Sequence, residues 1–172
     1  RSVIIKFDLQ NEVEEELYLF ENSPIIYQTS GLSVSRKGDK IALALNDTLN
    51  IITLSNNPKS IHMPDGKEPC FFPDGDSLLF SRETQILLYA FPSKTTKVFI
   101  EEGSSPRLDR KGDKLVYQKN SQIIVMDLTT SQSHIVADTG YTPDISPDGT
   151  CIIYTRNFDG REKLILADSL GQ

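Results

Sequence analysis

Side chains that commonly do catalytic chemistry are sparse in this sequence. The histidines and cysteines are His62, His134, Cys70 and Cys151. The sequence contains no Gly-x-Ser-x-Gly nucleophile turn, no His-Glu-x-x-His zinc motif, no phosphate-binding loop and no dinucleotide-binding glycine motif. Ser146 and Asp148 are neighbours, but no histidine lies near them in sequence to act as a base. We therefore expect no catalytic residues in this chain.

Metal and cofactor sites have equally little support. No Cys-x-x-Cys or His-x-x-x-His spacing exists, so we expect neither a zinc site nor a cofactor. The segment "NFDGREK", residues 157 to 163, resembles a calcium loop only in its Asp-Gly pair, and a long loop between two strands is the favoured reading. The acidic run Glu12, Glu14, Glu15 and Glu16 could form a cation-binding or partner-binding surface, although such runs are usually a solvated hairpin edge.

Composition excludes several functional classes. Of the 172 residues, 38% are hydrophobic and 24% charged, which is enough apolar material for an ordered core. The net charge of −6 argues against nonspecific nucleic-acid binding as the main role. No apolar run approaches the ~20 residues of a membrane span, so we expect no direct membrane insertion. Cys70 and Cys151 are expected to be unpaired, because they fall two repeats apart.

A glycine recurs along the chain at a constant interval. It stands at the same place in "SRKGDKIALAL", "FPDGDSLLFSR", "DRKGDKLVYQK" and "SPDGTCIIYTR", at Gly38, Gly75, Gly112 and Gly149. Consecutive glycines are 37 residues apart. Such a period is typical of repeat proteins, in which one supersecondary unit buries its apolar face only against a neighbour. The chain is therefore predicted to consist of repeats anchored at these four glycines.

Each repeat is predicted to contain two hairpins. Pro147 presets φ for a turn, Asp148 can bond local backbone, and Gly149 accepts the positive φ that a short hairpin loop needs. A second apolar run, a polar turn and a third run then follow, as in "QIIVMDLTTSQSHIVA". Four short strands in 37 residues correspond to one antiparallel blade of a β-propeller. We call these strands A to D, from the propeller axis outward.

The strand count along the chain is uneven. Residues 1 to 22, with "SVIIKFDLQNEVEEELYLF", match only strands C and D and are predicted to form a partial blade. The segment "EKLILADSLGQ" supplies strand C of the fourth repeat and no strand D. Residues 1 to 172 are thus expected to be one propeller domain or part of a larger propeller, open to self-association through a blade edge. In the alternative, an N-terminal strand closes the last blade.

The stretches "TPDISPDGTCIIY" and "EPCFFPDGDSLLF" resemble the TolB-type propeller repeat. The resemblance covers about residue 30 to the end, although "RKG" replaces "PDG" in the first and third copies. It implies a noncatalytic bacterial envelope module, periplasmic or otherwise extracytoplasmic, that acts as a scaffold or binds a protein or peptide. The alternative is the propeller of a larger hydrolase resembling the prolyl oligopeptidase family, gating a catalytic domain outside these residues.

The loops entering the A strands are the expected partner-binding surface, because they surround one mouth of the propeller channel. They combine charged and aromatic residues, a composition common in protein recognition. The candidate binding residues are Tyr27, Lys67, Glu68, Arg107, Tyr141 and Asp144. Arg107 and Asp144 each stand five residues before an anchor glycine, near the predicted start of strand A, and we expect an ion pair between them.

Overall fold

The computed structural model describes residues 3–19, 29–55 and 57–170, and their seventeen strands form five antiparallel sheets. The N-terminal hairpin contains β1 (Val3–Asp8) and β2 (Val13–Leu19). Blade 1 contains β3 (Thr29–Val34), β4 (Lys40–Leu45), β5 (Thr48–Thr53) and β6 (Lys59–Pro64). Blade 2 contains β7 (Lys67–Phe71), β8 (Ser77–Arg82), β9 (Gln85–Ala90) and β10 (Thr95–Ile100).

Blade 3 contains β11 (Ser104–Leu108), β12 (Lys114–Lys119), β13 (Gln122–Asp127) and β14 (Ser133–Ala137). Blade 4 contains β15 (Tyr141–Ile145), β16 (Cys151–Phe158) and β17 (Arg161–Asp168). In each blade, strands adjacent in sequence are adjacent in the sheet. The residues that the structure describes contain no helix, which confirms the predicted all-β propeller architecture.

The four anchor glycines occupy equivalent turns between strands A and B. Their φ angles are 70°, 74°, 78° and 71° at Gly38, Gly75, Gly112 and Gly149. Each glycine N–H donates to the carbonyl three residues earlier, for example Gly149 to Ser146 at 2.8 Å. Ser146 Oγ also accepts from the Thr150 and Cys151 amides, and Asp109 Oδ1 caps the equivalent turn of blade 3. The turn is therefore preserved in the "RKG" copies, which lack the proline and the aspartate.

The blades are held together by apolar contacts between consecutive sheets. Blades 1 and 2 share a core that includes Ala42, Leu49, Ile51, Phe71, Leu78 and Phe80. Blades 2 and 3 share one with Cys70, Leu79, Ile86, Leu115, Tyr117 and Ile124. Blades 3 and 4 share one with Val116, Ile123, Val125, Ile145, Ile152 and Tyr154. The hydrophobic core is thus divided into equivalent layers between blades, as expected for a repeat protein.

The N-terminal hairpin lies against blade 1 and does not complete blade 4. Ile4 and Tyr18 pack on Leu45 and Ile52 of blade 1, and β1 and β2 form a separate two-stranded sheet. The predicted partial blade is confirmed. The alternative in which an N-terminal strand closes the last blade is wrong for the described residues, because β15, β16 and β17 form a three-stranded sheet.

The prediction of a long loop at "NFDGREK" is also wrong. Strands β16 and β17 stay paired from Cys151↔Asp168 to Phe158↔Arg161, which leaves a two-residue turn. Asp159 and Gly160 have φ of 51° and 77°, the two positive values that a tight hairpin turn of this kind requires. The Asp-Gly pair lies between strand-forming residues and therefore forms a two-residue hairpin turn instead of a long loop.

Candidate functional site

Five of the six candidate binding residues lie in the described part of the chain. They fall at two positions along the A strands, at the start and near the end. Lys67 and Tyr141 are the first residues of β7 and β15, and Glu68 is the second residue of β7. Arg107 and Asp144 are the penultimate residues of β11 and β15. The prediction that these two lie near the start of strand A is therefore wrong. They lie three residues further along, roughly 10 Å at the rise of a β-strand. Tyr27 lies outside the described residues.

Lys67 and Tyr141 are solvent-exposed at the end of the blades where the A strands begin. The side chain of Tyr141 is 43% exposed. Lys67 Nζ lies 2.7 Å from Asp47 Oδ1 at the neighbouring blade. The hydrogen bond and charge of Asp47 raise the pKa of Lys67, so the amine stays protonated. Both side chains are accessible to solvent.

Glu68 instead joins two blades. Its Oε2 accepts hydrogen bonds from Ser81 Oγ at 2.8 Å and from the Ser105 amide at 2.8 Å, and its Oε1 accepts from Ser105 Oγ at 2.6 Å. Ser81 and Ser105 are both buried. Ser105 belongs to blade 3, at the repeat position equivalent to Glu68 in blade 2. The carboxylate therefore satisfies buried polar groups across the blade 2–blade 3 boundary, which is a positioning role.

A bulge repeated in every A strand produces this arrangement. The register shifts at the same place in β3, β7, β11 and β15. The equivalent residues Gly31, Glu68, Ser105 and Thr142 all have positive φ, with 47° at the β-branched Thr142. Such a conformation is rare for non-glycine residues and strained for threonine. The bulge turns Glu68 away from a regular strand orientation and towards Ser105.

We expect Glu68→Ala to lower the free energy of unfolding by about 1–3 kcal/mol. The buried hydroxyls of Ser81 and Ser105 lose their acceptor, and the Ser105 amide keeps only Ser81 Oγ, at 3.0 Å. Urea denaturation measures this change. Glu102→Ala is the matched control, since Glu102 forms an exposed ion pair with Lys119 at 2.9 Å, and it should change stability little. Equal effects of the two substitutions would contradict the role given to Glu68.

The expected ion pair between Arg107 and Asp144 does not form. Arg107 donates to the Pro106 carbonyl at 2.7 Å, and Asp144 Oδ1 accepts from the Ile145 amide at 2.9 Å. At the equivalent place between blades 1 and 2, Ser33 Oγ accepts from the Phe71 amide at 3.1 Å. Arginine has no acceptor atom, so Arg107 cannot bond the Ile145 amide in the same way. Asp144 makes that bond itself.

An open groove crosses the boundary of blades 2 and 3 at the same end as Lys67 and Tyr141. One part, of about 530 Å³, is lined by Asp65, Lys67, Glu68, Ser81, Glu83 and Ser104. A second part, of about 240 Å³, shares Glu83 and Ser104 and continues to Glu102, Gln118 and Lys119. Lys67 and Lys119 are both paired with carboxylates. The groove is lined by residues of the loops "MPDGKEP" and "IEEGSSP" and by turns between strands B and C, for which the sequence gives no signal.

Sequence reasoning missed one group with hydrolase-like geometry. Ser60 Oγ lies 3.1 Å from His62 Nε2, and His62 Nδ1 lies 2.7 Å from Asn50 Oδ1. The signal was available, because residues two apart on one strand share a face, as Ser60 and His62 do on β6. Acyl transfer also needs donors that stabilise an oxyanion and a cleft that holds substrate. The group lies on the outer strands of blade 1, and neither part of the groove contains any of its residues.

The described part of the chain shows neither a cluster of metal ligands nor a membrane-spanning helix. In residues 3–19, 29–55 and 57–170, no three His, Cys, Asp or Glu side chains are grouped as metal ligands. The same residues include no helix long and apolar enough to span a membrane. Cys70 and Cys151 are free thiols, and burial raises the pKa of Cys70.

Comparisons with known proteins identify similar folds rather than similar sequences. No family model matches the chain, and no curated protein matches its sequence. TolB from Acinetobacter baumannii is similar in structure, with a TM-score of 0.74, 20% identity, and coverage of 98% of this chain and 46% of that one. TolB from Agrobacterium tumefaciens has a TM-score of 0.74, 15% identity, and coverage of 96% and 65%.

The tricorn protease is a more distant match, with a TM-score of 0.58 and 18% identity over 98% of this chain and 19% of that one. The chain spans about half the length of the Acinetobacter TolB. Each of the three matches covers at least 96% of this chain. The matched region therefore includes the blades. The 37-residue repeats, the equivalent glycine turns and these matches together show that the chain has the propeller fold of TolB.

Proposed function

We propose that this chain is a noncatalytic propeller module that binds a protein or peptide at the end of the blades where the A strands begin. We name this surface the entry face and define it by Asp65, Lys67, Glu83, Ser104, Lys119 and Tyr141. The observation that carries the proposal is the open groove lined by Lys67. Tyr141, which is 43% exposed, begins the A strand of blade 4 at the same end of the blades. A mixed charged and aromatic surface around a groove suits polypeptide recognition.

The resemblance to TolB supports a scaffold or binding role and an extracytoplasmic location. The charge of −6 argues against a nucleic-acid partner. The entry face is also unlike an enzyme active site, because Glu68 is fully occupied between blades. Arg107 and Asp144 lie deeper along the A strands and could contact a loop or peptide that inserts into the channel.

Site-specific photo-crosslinking tests this proposal. A benzoylphenylalanine placed at Tyr141 should give a discrete protein adduct in an envelope extract of the source organism. The same probe at Lys111, an exposed residue of a turn at the opposite end, should not give that adduct. Lys67→Glu should then weaken binding of the purified adduct partner by at least about tenfold, or 1.4 kcal/mol. Identical adducts from both positions, or no effect of Lys67→Glu, would overturn the proposal.

A second candidate function is the propeller of a larger hydrolase, in which the blades gate a separate catalytic domain. The similarity to the tricorn protease favours this candidate, because nearly all of this chain matches a small part of that enzyme. The full-length gene product discriminates between the two. A following domain with a Gly-x-Ser-x-Gly turn would support the hydrolase, whereas a preceding signal peptide and small α/β domain would support the TolB-like module.

A further inference from the structure

The hairpin that joins strands B and C of blade 4 is longer than its counterparts. In blades 1 to 3 each of strands B and C has 6 residues, whereas β16 and β17 have 8. Arg156 is the repeat equivalent of Lys119, the residue at which β12 ends. Two further residue pairs follow before the blade 4 turn, Asn157↔Glu162 and Phe158↔Arg161. At the rise of a β-strand, this hairpin extends about 7 Å further than that of blade 3, at the end of the blades where the A strands begin.

One face of this longer hairpin carries three cations and an aromatic ring. Tyr154 and Ile165 lie opposite each other and pack in the core between blades 3 and 4. Alternate residues of a strand share a face, so the face towards blade 3 continues to the tip. The side chains that continue it, which we call the hairpin cluster, are Arg156, Phe158, Arg161 and Lys163. Glu162 pairs with Asn157 on the opposite face. Positive charge is therefore concentrated on the side of the hairpin that faces blade 3, beyond the edge of the core.

Two of these cations are held by the Phe158 ring. Arg156 Cζ lies 4.8 Å and Lys163 Nζ lies 5.0 Å from the ring centroid, distances at which a cation is attracted to an aromatic face. Arg161 and Lys163 are exposed to solvent. Among the residues that the structure describes, no carboxylate forms an ion pair with a cation of the hairpin cluster, whereas both lysines of the groove are paired. The positive charge of the hairpin is therefore available to an anionic ligand.

We propose, on the basis of the polypeptide-binding function given above, that the hairpin cluster binds an acidic segment of the partner. Carboxylates of such a segment complement a guanidinium and an ammonium that converge on one ring. A membrane surface fits less well, because two cations cover the Phe158 ring, which is only 36% exposed. The groove at the same end of the blades also carries Glu83 and Glu102, and these carboxylates repel an extended anionic surface.

Selection from a random dodecapeptide library displayed on phage, with the purified chain as the target, tests this proposal. We expect the retained peptides to be enriched in Asp and Glu. Their affinity for the double variant Arg156→Gln/Lys163→Gln should be lower by at least about tenfold, because two charge-assisted hydrogen bonds are lost. Lys37→Gln/Lys111→Gln is the matched control, since it removes the same charge from two exposed residues in turns at the opposite end, and it should bind the peptides like the unmodified chain.

Lys67→Glu separates this proposal from the proposed function, and circular dichroism confirms that each variant is folded. Peptides that are not acidic, depend on Lys67 and bind the Arg156→Gln/Lys163→Gln variant normally would overturn the role of the hairpin cluster and leave the proposed function intact. Retention of no peptide, or equal losses of affinity in the hairpin and control variants, would also overturn it. So would pelleting of the chain with phosphatidylglycerol vesicles that only the hairpin substitutions abolish, which would indicate a membrane surface as the ligand.

Discussion

Phe80→Ala is expected to lower the free energy of unfolding by about 3–5 kcal/mol, the largest effect of any single truncation considered for this chain. The Phe80 side chain is completely buried in the core between blades 1 and 2. Its ring lies 5.5 Å from the guanidinium carbon of Arg82, and a methyl group added at Gly66 would come within 3.3 Å of it. The site is therefore closely packed and cannot collapse around the cavity that alanine would leave.

Phe7→Ala is the control for this prediction. Phe7 is 50% exposed on the N-terminal hairpin, so its removal should change stability by no more than about 0.5 kcal/mol. Urea unfolding followed by circular dichroism measures both variants. A small effect of Phe80→Ala, or equal effects of the two changes, would mean that the contact between blades 1 and 2 does not stabilise the molecule.

Gly112→Ala is expected to destabilise the chain far more than Gly38→Ala, although both glycines occupy the same turn. At either position alanine must adopt positive φ, which costs about 1–2 kcal/mol. At Gly112 the new Cβ would also lie 2.9 Å from Pro73 Cδ in the preceding blade, whereas nothing lies within 4 Å at Gly38. Overpacking against the rigid proline ring adds about 1–3 kcal/mol.

Thermal and urea unfolding of the two variants give this comparison. Because the backbone strain is shared, the difference between them isolates the contact of the blade 3 turn with Pro73. If Gly38→Ala proved as costly as Gly112→Ala, the turns would not pack against the preceding blade as described. If neither variant lost stability, the positive φ of the anchor glycines would be wrong.

Most of the fold could be predicted because one local rule is repeated. The spacing of Gly38, Gly75, Gly112 and Gly149 establishes the repeat, and positive φ at each turn follows from glycine chemistry. Alternating polar turns and apolar runs then locate the strands. The Asp159-Gly160 turn was within reach of the same reasoning, since an Asp-Gly pair between strand formers favours a two-residue hairpin.

The site was less predictable, because it depends on details that spacing does not encode. The A-strand bulge has no distinctive sequence signal, since Gly31, Glu68, Ser105 and Thr142 share only their repeat position. Without the bulge, the bonds from Glu68 to Ser105 could not be foreseen. The failed ion pair has a similar cause. Arg107 and Asp144 do occupy equivalent positions, but the Asp144 carboxylate accepts a hydrogen bond from the Ile145 amide.

Hydrogen–deuterium exchange measured by mass spectrometry shows whether coverage by neighbouring blades decides the stability of each strand. We expect slow exchange in β8 and β12, because blades 2 and 3 are covered on both faces. We expect faster exchange in β16, β17 and the N-terminal hairpin. Exchange in β16 and β17 as slow as in β12 would mean that the contacts between blades do not set the stability of the strands.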